Sequence, residues 1–456
     1  MPNVIETADA AAGPSTSYTL GIGQTGQGTL SSASDHDWYR VNLVAGQTYT
    51  FAMTGTGASN VQDTYLRLYG TDGATVVAQN DDGLPGLNSI VAFTATSSGA
   101  YFLDAGSFGN LYSGQYGVSA TAGTRASFDT QMGAGVIDTD LSWGAGATVT
   151  YAFRQTYAAS VDAQGLPAPF SQLTAPEIAA VESALANMSE VANISFQRAN
   201  PGGYSDSATM LFSNYTSFTD GAGAYAFYPG STAANSTAGD VRLNTTAVST
   251  TSLPTGSYSY FAILHETGHA VGLSHPGLYN AAPGVNITYA THAQFVQDSH
   301  QYSVMSYFDE SNTTASYGSY PDSLMLLDIY ALQQIYGANT STRAGNTVYG
   351  FNSNAGGVYN FASNSNPALC IWDGGGNDTL DVSGYNDTQI VNLEGGTFSS
   401  VGGLTNNISI ALGAVIENAI GGSGRDTLTG NSADNVLDGR GGGEDRKSTR
   451  LNSSHT

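Results

Sequence analysis

His265-Glu266-Thr267-Gly268-His269-Ala270-Val271-Gly272-Leu273-Ser274-His275-Pro276 gathers three imidazoles and a carboxylate into one short run. Histidines four apart lie on one face of a helix, so both rings can reach one ion. Glu266 sits off that line but can lean over the open side of the same ion. Gly272 predicts the end of the helix, because glycine takes a positive φ without strain. The turn that follows lets His275 approach from a second direction. Three neutral nitrogens leave one tetrahedral position for water, the arrangement of a catalytic zinc site. Zinc in such a site lowers the pKa of its water to about 7, and a carboxylate beside it can take the proton. His-Glu-x-x-His alone is a weak signal that chance supplies in helices. The glycine, the third histidine at its spacing and a later Ser303-Val304-Met305-Ser306-Tyr307 make it a strong one.

Met305 matches the Met-turn beneath the zinc of the metzincin proteases. Within that clan Pro276, after the third histidine, and Tyr307, two residues past the methionine, resemble the serralysins. The flanking runs His275-Pro-Gly-Leu-Tyr-Asn280, Asp328-Ile-Tyr-Ala-Leu332, Val348-Tyr-Gly-Phe-Asn352 and Ile416-Glu-Asn-Ala-Ile-Gly-Gly422 resemble that family too, and the likeness extends over residues 127–443. It implies a secreted zinc endopeptidase with zinc on His265, His269 and His275. It implies Glu266 as general base, Tyr307 as a detachable further zinc ligand that stabilises the transition state, and Met305 as the unreactive floor. It also implies that the strand holding Ala224, Tyr225 and Ala226 is an edge on which peptide substrates pair, a mode that draws affinity from the main chain.

The composition agrees with an extracellular setting. Acidic residues outnumber basic ones by 36 to 12, which argues against binding nucleic acid or an anionic membrane surface. A single cysteine, Cys370, excludes an internal disulfide and reads as a buried strand residue. Calcium is then the expected staple. The N-terminus has neither the basic nor the apolar region of a Sec signal, and no run is long enough to span a bilayer. The resemblance implies release from a Gram-negative bacterium by a type I exporter that reads a C-terminal signal.

The expected fold class is an α+β metzincin catalytic domain, preceded by an all-β sandwich and followed by a parallel β-roll. Residues 1–15 read as a flexible lead-in. Residues 16–121 alternate polar and apolar side chains between turns, as in a sandwich. Asp37-Trp-Tyr39, Ala45-Gly-Gln-Thr-Tyr49 and Ser98-Gly-Ala-Tyr-Phe-Leu103 resemble the bacterial pre-peptidase C-terminal domain. Residues 122–340 read as the catalytic domain. They hold a strand at Thr148–Phe153, a helix capped by Thr174 with Pro176 and Glu177 in its first turn, the zinc helix from Tyr258 to Val271, and a last helix from Ser323 to Tyr336. His292 and His300 fall outside the ligand spacing and read as surface or supporting histidines.

Residues 341–443 turn to Gly, Asn and Asp with isolated apolar positions. Gly421-Gly-Ser-Gly-Arg-Asp-Thr-Leu-Thr429 fits the calcium-binding nonapeptide, with weaker copies at 373–381 and 430–438. Asp378 and Asp426 take the calcium-ligand position in two of them, and Asn435 replaces it in the third. Residues 445–456 match one reading frame of a sequencing adapter and read as an artefact on a chain truncated near Gly443. The competing reading is a calcium-dependent surface-binding protein on an inactive protease scaffold; the intact catalytic positions weigh against it.

Overall fold

The computed structural model describes residues 4–234, 236–441 and, for the backbone, 445–447. Most of the expected artefactual tail therefore lies outside the described residues. The chain is rich in β-strands with few helices, and it divides into two compact units. One unit comprises Met1–Asp140 with the short segments Leu273–Asn280 and Ile287–Asp298; the other comprises Leu141–Gly272, Ala281–Asn286 and Ser299–Thr456.

The first unit contains two sheets. One has the order Val4–Ile5, Gln24–Leu30, Gly114–Ala122, Thr48–Gly55, Ser89–Thr94; the other runs Asp37–Leu43, Gly99–Ser107, Thr64–Tyr69, Val76–Asn80. Thr64–Tyr69 alternates buried and half-buried residues along its whole length, the signature of a strand with one inward face. Inward residues of both sheets, among them Phe51, Met53 and Val118 from one and Val41, Leu68 and Leu103 from the other, form a single core. The helix Thr130–Ile137 follows, capped by the Asp129 carboxylate on the Met132 N–H.

In the second unit four parallel strands lie in the order Ser195–Arg198, Thr148–Phe153, Met210–Tyr215, Val241–Asn244. Ala224–Ala226 pairs antiparallel on the outside of Val241–Asn244 and forms the edge. The helix Ala175–Val191 begins with the expected capping box: the Thr174 side chain accepts from the Glu177 N–H, and the Glu177 carboxylate accepts from the Thr174 N–H. Of the apolar positions at helical spacing, Val181, Leu185 and Met188 are buried and Ile178 is half-buried. This helix packs against Tyr258–Ala270 and Leu326–Tyr336. The last helix starts three residues later than its sequence pattern suggests. The Asp328 carboxylate reaches back to the Met325 N–H and fixes the cap there.

Beyond residue 340 three-residue strands stack in parallel. Val348–Gly350, Thr379–Asp381, Asn418–Ile420 and Val436–Asp438 form one sheet, with Tyr349, Leu380, Ala419 and Leu437 in register and fully buried. Ile390–Asn392 and Thr427–Thr429 form another with Val391 and Leu428 in register and buried. These are the rungs of a parallel β-roll, and each expected nonapeptide supplies one strand from its last three residues. Cys370 lies in Leu369–Ile371, buried as expected.

Candidate metal centre

The helix Tyr258–Ala270 opens on Ser257, whose hydroxyl accepts from the Tyr260 N–H, and every residue from Ser259 to Ala270 is buried. It is stopped by Gly272, at φ 106°, a conformation that costs any residue with a Cβ. The Trp143 indole N–H donates to the Ala270 carbonyl (2.8 Å) and the Tyr336 hydroxyl to the Val271 carbonyl (2.8 Å), so the exposed carbonyls of the last turn are satisfied. The chain turns at once, and His275 joins His265 and His269 with one ring nitrogen of each within 4.8 Å of the others.

Two of the rings are held in a defined tautomer. His265 Nδ1 lies 2.8 Å from the Val304 carbonyl, and His275 Nδ1 lies 2.9 Å from the Tyr279 carbonyl. A carbonyl only accepts, so each Nδ1 carries the proton and each Nε2 carries the lone pair that a metal needs. Burial pushes the His265 pKa down to about 4, which keeps this ring neutral at physiological pH. The donor set, three imidazoles beside a carboxylate, fits zinc.

Glu266 is buried, and its Oε2 has no hydrogen-bond partner. Burial raises its pKa to about 8. Tyr307 packs its ring 5.7 Å from that of His265, and burial followed by the Glu266 charge raises its hydroxyl pKa. Tyr228 lies edge-on to His269 at 5.6 Å. Met305 is fully buried in the turn that leads to Tyr307.

That turn is organised by a residue whose role the sequence left open. Asp328 accepts from the Ser303 hydroxyl (2.6 Å), the Val304 N–H (2.8 Å) and the Met325 N–H (2.9 Å). Val304 is the residue whose carbonyl holds His265. The last helix is thus tied through one residue, Val304, to the orientation of one imidazole. His300 is buried rather than a surface residue: its Nε2 lies 3.1 Å from the Ser306 carbonyl, and its ring packs on Phe261 at 4.7 Å. His292 is half-buried and apart from the cluster.

The edge strand has a definite polarity. Asn244 N–H donates to the Gly223 carbonyl and Phe227 N–H to the Asp240 carbonyl. Main-chain groups alternate in direction along an antiparallel strand, so Gly223, Tyr225 and Phe227 turn theirs inward while Ala224 and Ala226 turn theirs outward. Of the three residues expected to bind substrate, Ala224 and Ala226 turn main-chain groups away from Val241–Asn244 and Tyr225 turns its own toward it.

Asp378 and Asp426 are buried in the turns of the roll. Asp426 accepts from the Gln389 and Gly422 N–H groups, and Asp378 accepts from the Thr347 N–H with its Oδ2 unpartnered. Burial, then the charges of Asp373 and Glu417, raise the Asp378 pKa to about 7. A further acidic group went unnoticed in the sequence. Glu6, Asp9 and Asp37 each place an oxygen within 4.8 Å of the others. Asp37 is fully buried with Oδ1 unpartnered, and burial lifts its pKa to about 8. Some thirty residues of sequence separate Asp37 from the other two, so no local pattern announces them.

Residues 338–446 match the family model for the peptidase M10 serralysin C terminal. Serralysin B of Dickeya chrysanthemi is 40% identical over 297 residues, 63% of this chain and 60% of that protein. Over the matched residues the chain is similar to serralysins. Serralysin of Proteus mirabilis is 51% identical over 185 residues, 40% of this chain and 37% of that one. Metallopeptidase AprA of Pseudomonas marginalis is 41% identical over 296 residues, 63% of this chain and 61% of that one. The chain thus spans about 60% of the length of these first serralysin relatives. The pre-peptidase C-terminal domain of a Bacillus anthracis collagenase matches at 18% identity and a TM-score of 0.20, over 25% of this chain and all of that one; at that score it says nothing of fold.

Proposed function

We propose that this chain is a secreted zinc-dependent endopeptidase that hydrolyses extracellular proteins. The observation that carries the reading is the convergence of His265, His269 and His275 beside the unpartnered Glu266 carboxylate oxygen. The homology to serralysins supports it. The three imidazoles would hold zinc. Bound zinc would supply Lewis acidity, making water nucleophilic near neutral pH and drawing charge from the scissile carbonyl.

The chain's own groups do the rest. With zinc held on the neighbouring rings, Glu266 would be favoured in its ionised form against its burial. Glu266 then removes a proton as water forms the new C–O bond, and delivers it to the amine as the C–N bond breaks. The Tyr307 hydroxyl donates to the oxyanion of the tetrahedral intermediate. Ala224 and Ala226 pair with the substrate backbone. Met305 shapes the floor.

The same reading assigns residues 16–121 to a β-sandwich module, 122–340 to a metzincin domain and 341–443 to a calcium-bearing roll. Calcium would sit at the turns of Asp378 and Asp426, and at Glu6, Asp9 and Asp37, where a buried carboxyl lacks a counter-charge. Among the described residues no helix is long and apolar enough to cross a membrane, and release by a type I exporter is part of the proposal. The test is hydrolysis of denatured casein by wild type and Glu266→Gln, matched for bound zinc and with calcium present. Loss of the general base is expected to cost roughly 10²–10⁴-fold in rate while zinc is retained. Equal rates would refute the assignment of Glu266; no hydrolysis by either would refute the protease.

A further inference from the structure

Arg242 stands in the middle of Val241–Asn244, a strand buried at all four positions. Val241 and Leu243 alternate with it and take the opposite face, as an ordinary core strand would. Arg242 is 1% exposed, yet its Nε and Nη1 have no hydrogen-bond partner. Its Nη2 donates to the Tyr157 hydroxyl (2.9 Å) and lies 3.5 Å from Asp240, a carboxylate already paired with Arg154 at 2.6 Å. One carboxylate therefore serves two buried guanidinium groups.

Rings carry the remainder of the charge. The Arg242 guanidinium lies 4.3 Å from the Tyr157 ring centre, 5.7 Å from Phe227 and 5.8 Å from Tyr225. Arg154 also lies 4.3 Å from the Tyr157 ring. Tyr225 is the register partner of Arg242 across the ladder, and Phe227 follows two residues on, so both rings stand on the same face of the edge strand. The rings meet edge-on at 5.8 Å, and the Tyr225 hydroxyl donates to the Val161 carbonyl at 2.7 Å. Tyr225 and Phe227 are the residues whose main-chain groups point inward. Holding their rings fixes the twist of the strand, and with it the direction of the outward groups on Ala224 and Ala226. A buried ion pair is a poor source of stability compared with apolar packing, but it specifies register well.

We propose that Arg242 is a positioning residue for substrate: through Tyr225 and Phe227 it sets the edge on which an extended peptide pairs. The inference rests on the reading of Ala224–Ala226 as that edge. Its consequence is selective. A peptide long enough to lie along the strand depends on Arg242; a short one held only at the scissile bond does not.

The experiment compares a long and a short fluorogenic peptide sharing one scissile bond, with wild type, Arg242→Met and Arg242→Lys. Both variants are expected to raise KM for the long peptide roughly tenfold, equivalent to about 1.4 kcal/mol, with kcat unchanged and the short peptide unaffected. Lysine restores the charge but not the planar stack, so it should not rescue. Equal effects on both peptides, a change in kcat alone, or rescue by lysine would overturn the proposal. Failure of both variants to fold would overturn it as well, since Arg242 would then serve stability. If wild type cleaves neither peptide, the protease reading itself has failed.

Discussion

Asp328 offers a sharp test of how the fold sets the metal centre. Replacing it with alanine strips the acceptor from the Val304 and Met325 N–H groups and from the Ser303 hydroxyl. The hydroxyl can rotate to another acceptor, but the two backbone groups are buried and fixed. At about 1–3 kcal/mol for each unsatisfied donor, the loss is roughly 2–6 kcal/mol. Asparagine is different. Its oxygen can face both N–H groups while its amide faces Ser303 Oγ, which can accept, so Asp328→Asn should cost about 1 kcal/mol or less. The two variants also differ from wild type in pH dependence. Burial lifts the Asp328 pKa to about 6, from an ordinary 3.8. A carboxyl raised in this way binds its proton more tightly folded than unfolded. Its contribution is full below pH 3.8 and is lost as pH rises through 6. The span corresponds to about 3 kcal/mol at 1.36 kcal/mol per decade. Thermal unfolding of the metal-free chain at pH 4.5 and 7.5 should show this slope in wild type and less of it in Asp328→Asn. Zinc affinity, measured by competition with a chromophoric chelator, should fall roughly 10–100-fold in Asp328→Ala, because His265 loses its orienting carbonyl, and hardly change in Asp328→Asn. Equal zinc affinities for all three proteins would refute the link from Asp328 through Val304 to His265.

Other perturbations are expected to act as follows. Gly272→Ala forces a side chain to φ 106° and should lower stability by about 1–3 kcal/mol with weaker zinc binding, read from melting with and without zinc. Calcium should raise Tm, and by more at pH 8.5 than at pH 5, because the buried Asp37 carboxyl must ionise to bind it; Asp37→Asn should remove most of that difference. Leu428→Ala should cost about 2–5 kcal/mol within the roll, seen as earlier urea unfolding of that region.

The convergence of the three histidines was legible because its signal is local. Two histidines four apart, a glycine and a third histidine fix their own geometry within a helix and a turn. The rungs of the roll were legible for the same reason: Leu380, Leu428 and Leu437 take their places from a nine-residue rule, and all three are buried. What escaped was long-range. The capping of the zinc helix by Trp143 and Tyr336 depends on residues far apart in sequence. Asp328 reads equally well as packing or support until its three donors are seen. The edge strand is no longer than Ala224–Ala226, since beyond it the Phe227 and Tyr228 carbonyls both accept from one N–H, that of Gly239.

The tie between Asp328 and His265 also has an order in time. A chain made from its N-terminus presents His265, Glu266 and His269 first, and the carboxylate that orients the first of them only after residues 270–328 have been added. Until then the Val304 carbonyl is not held in place. The orientation of the first imidazole is thus completed by a residue made some sixty positions after it.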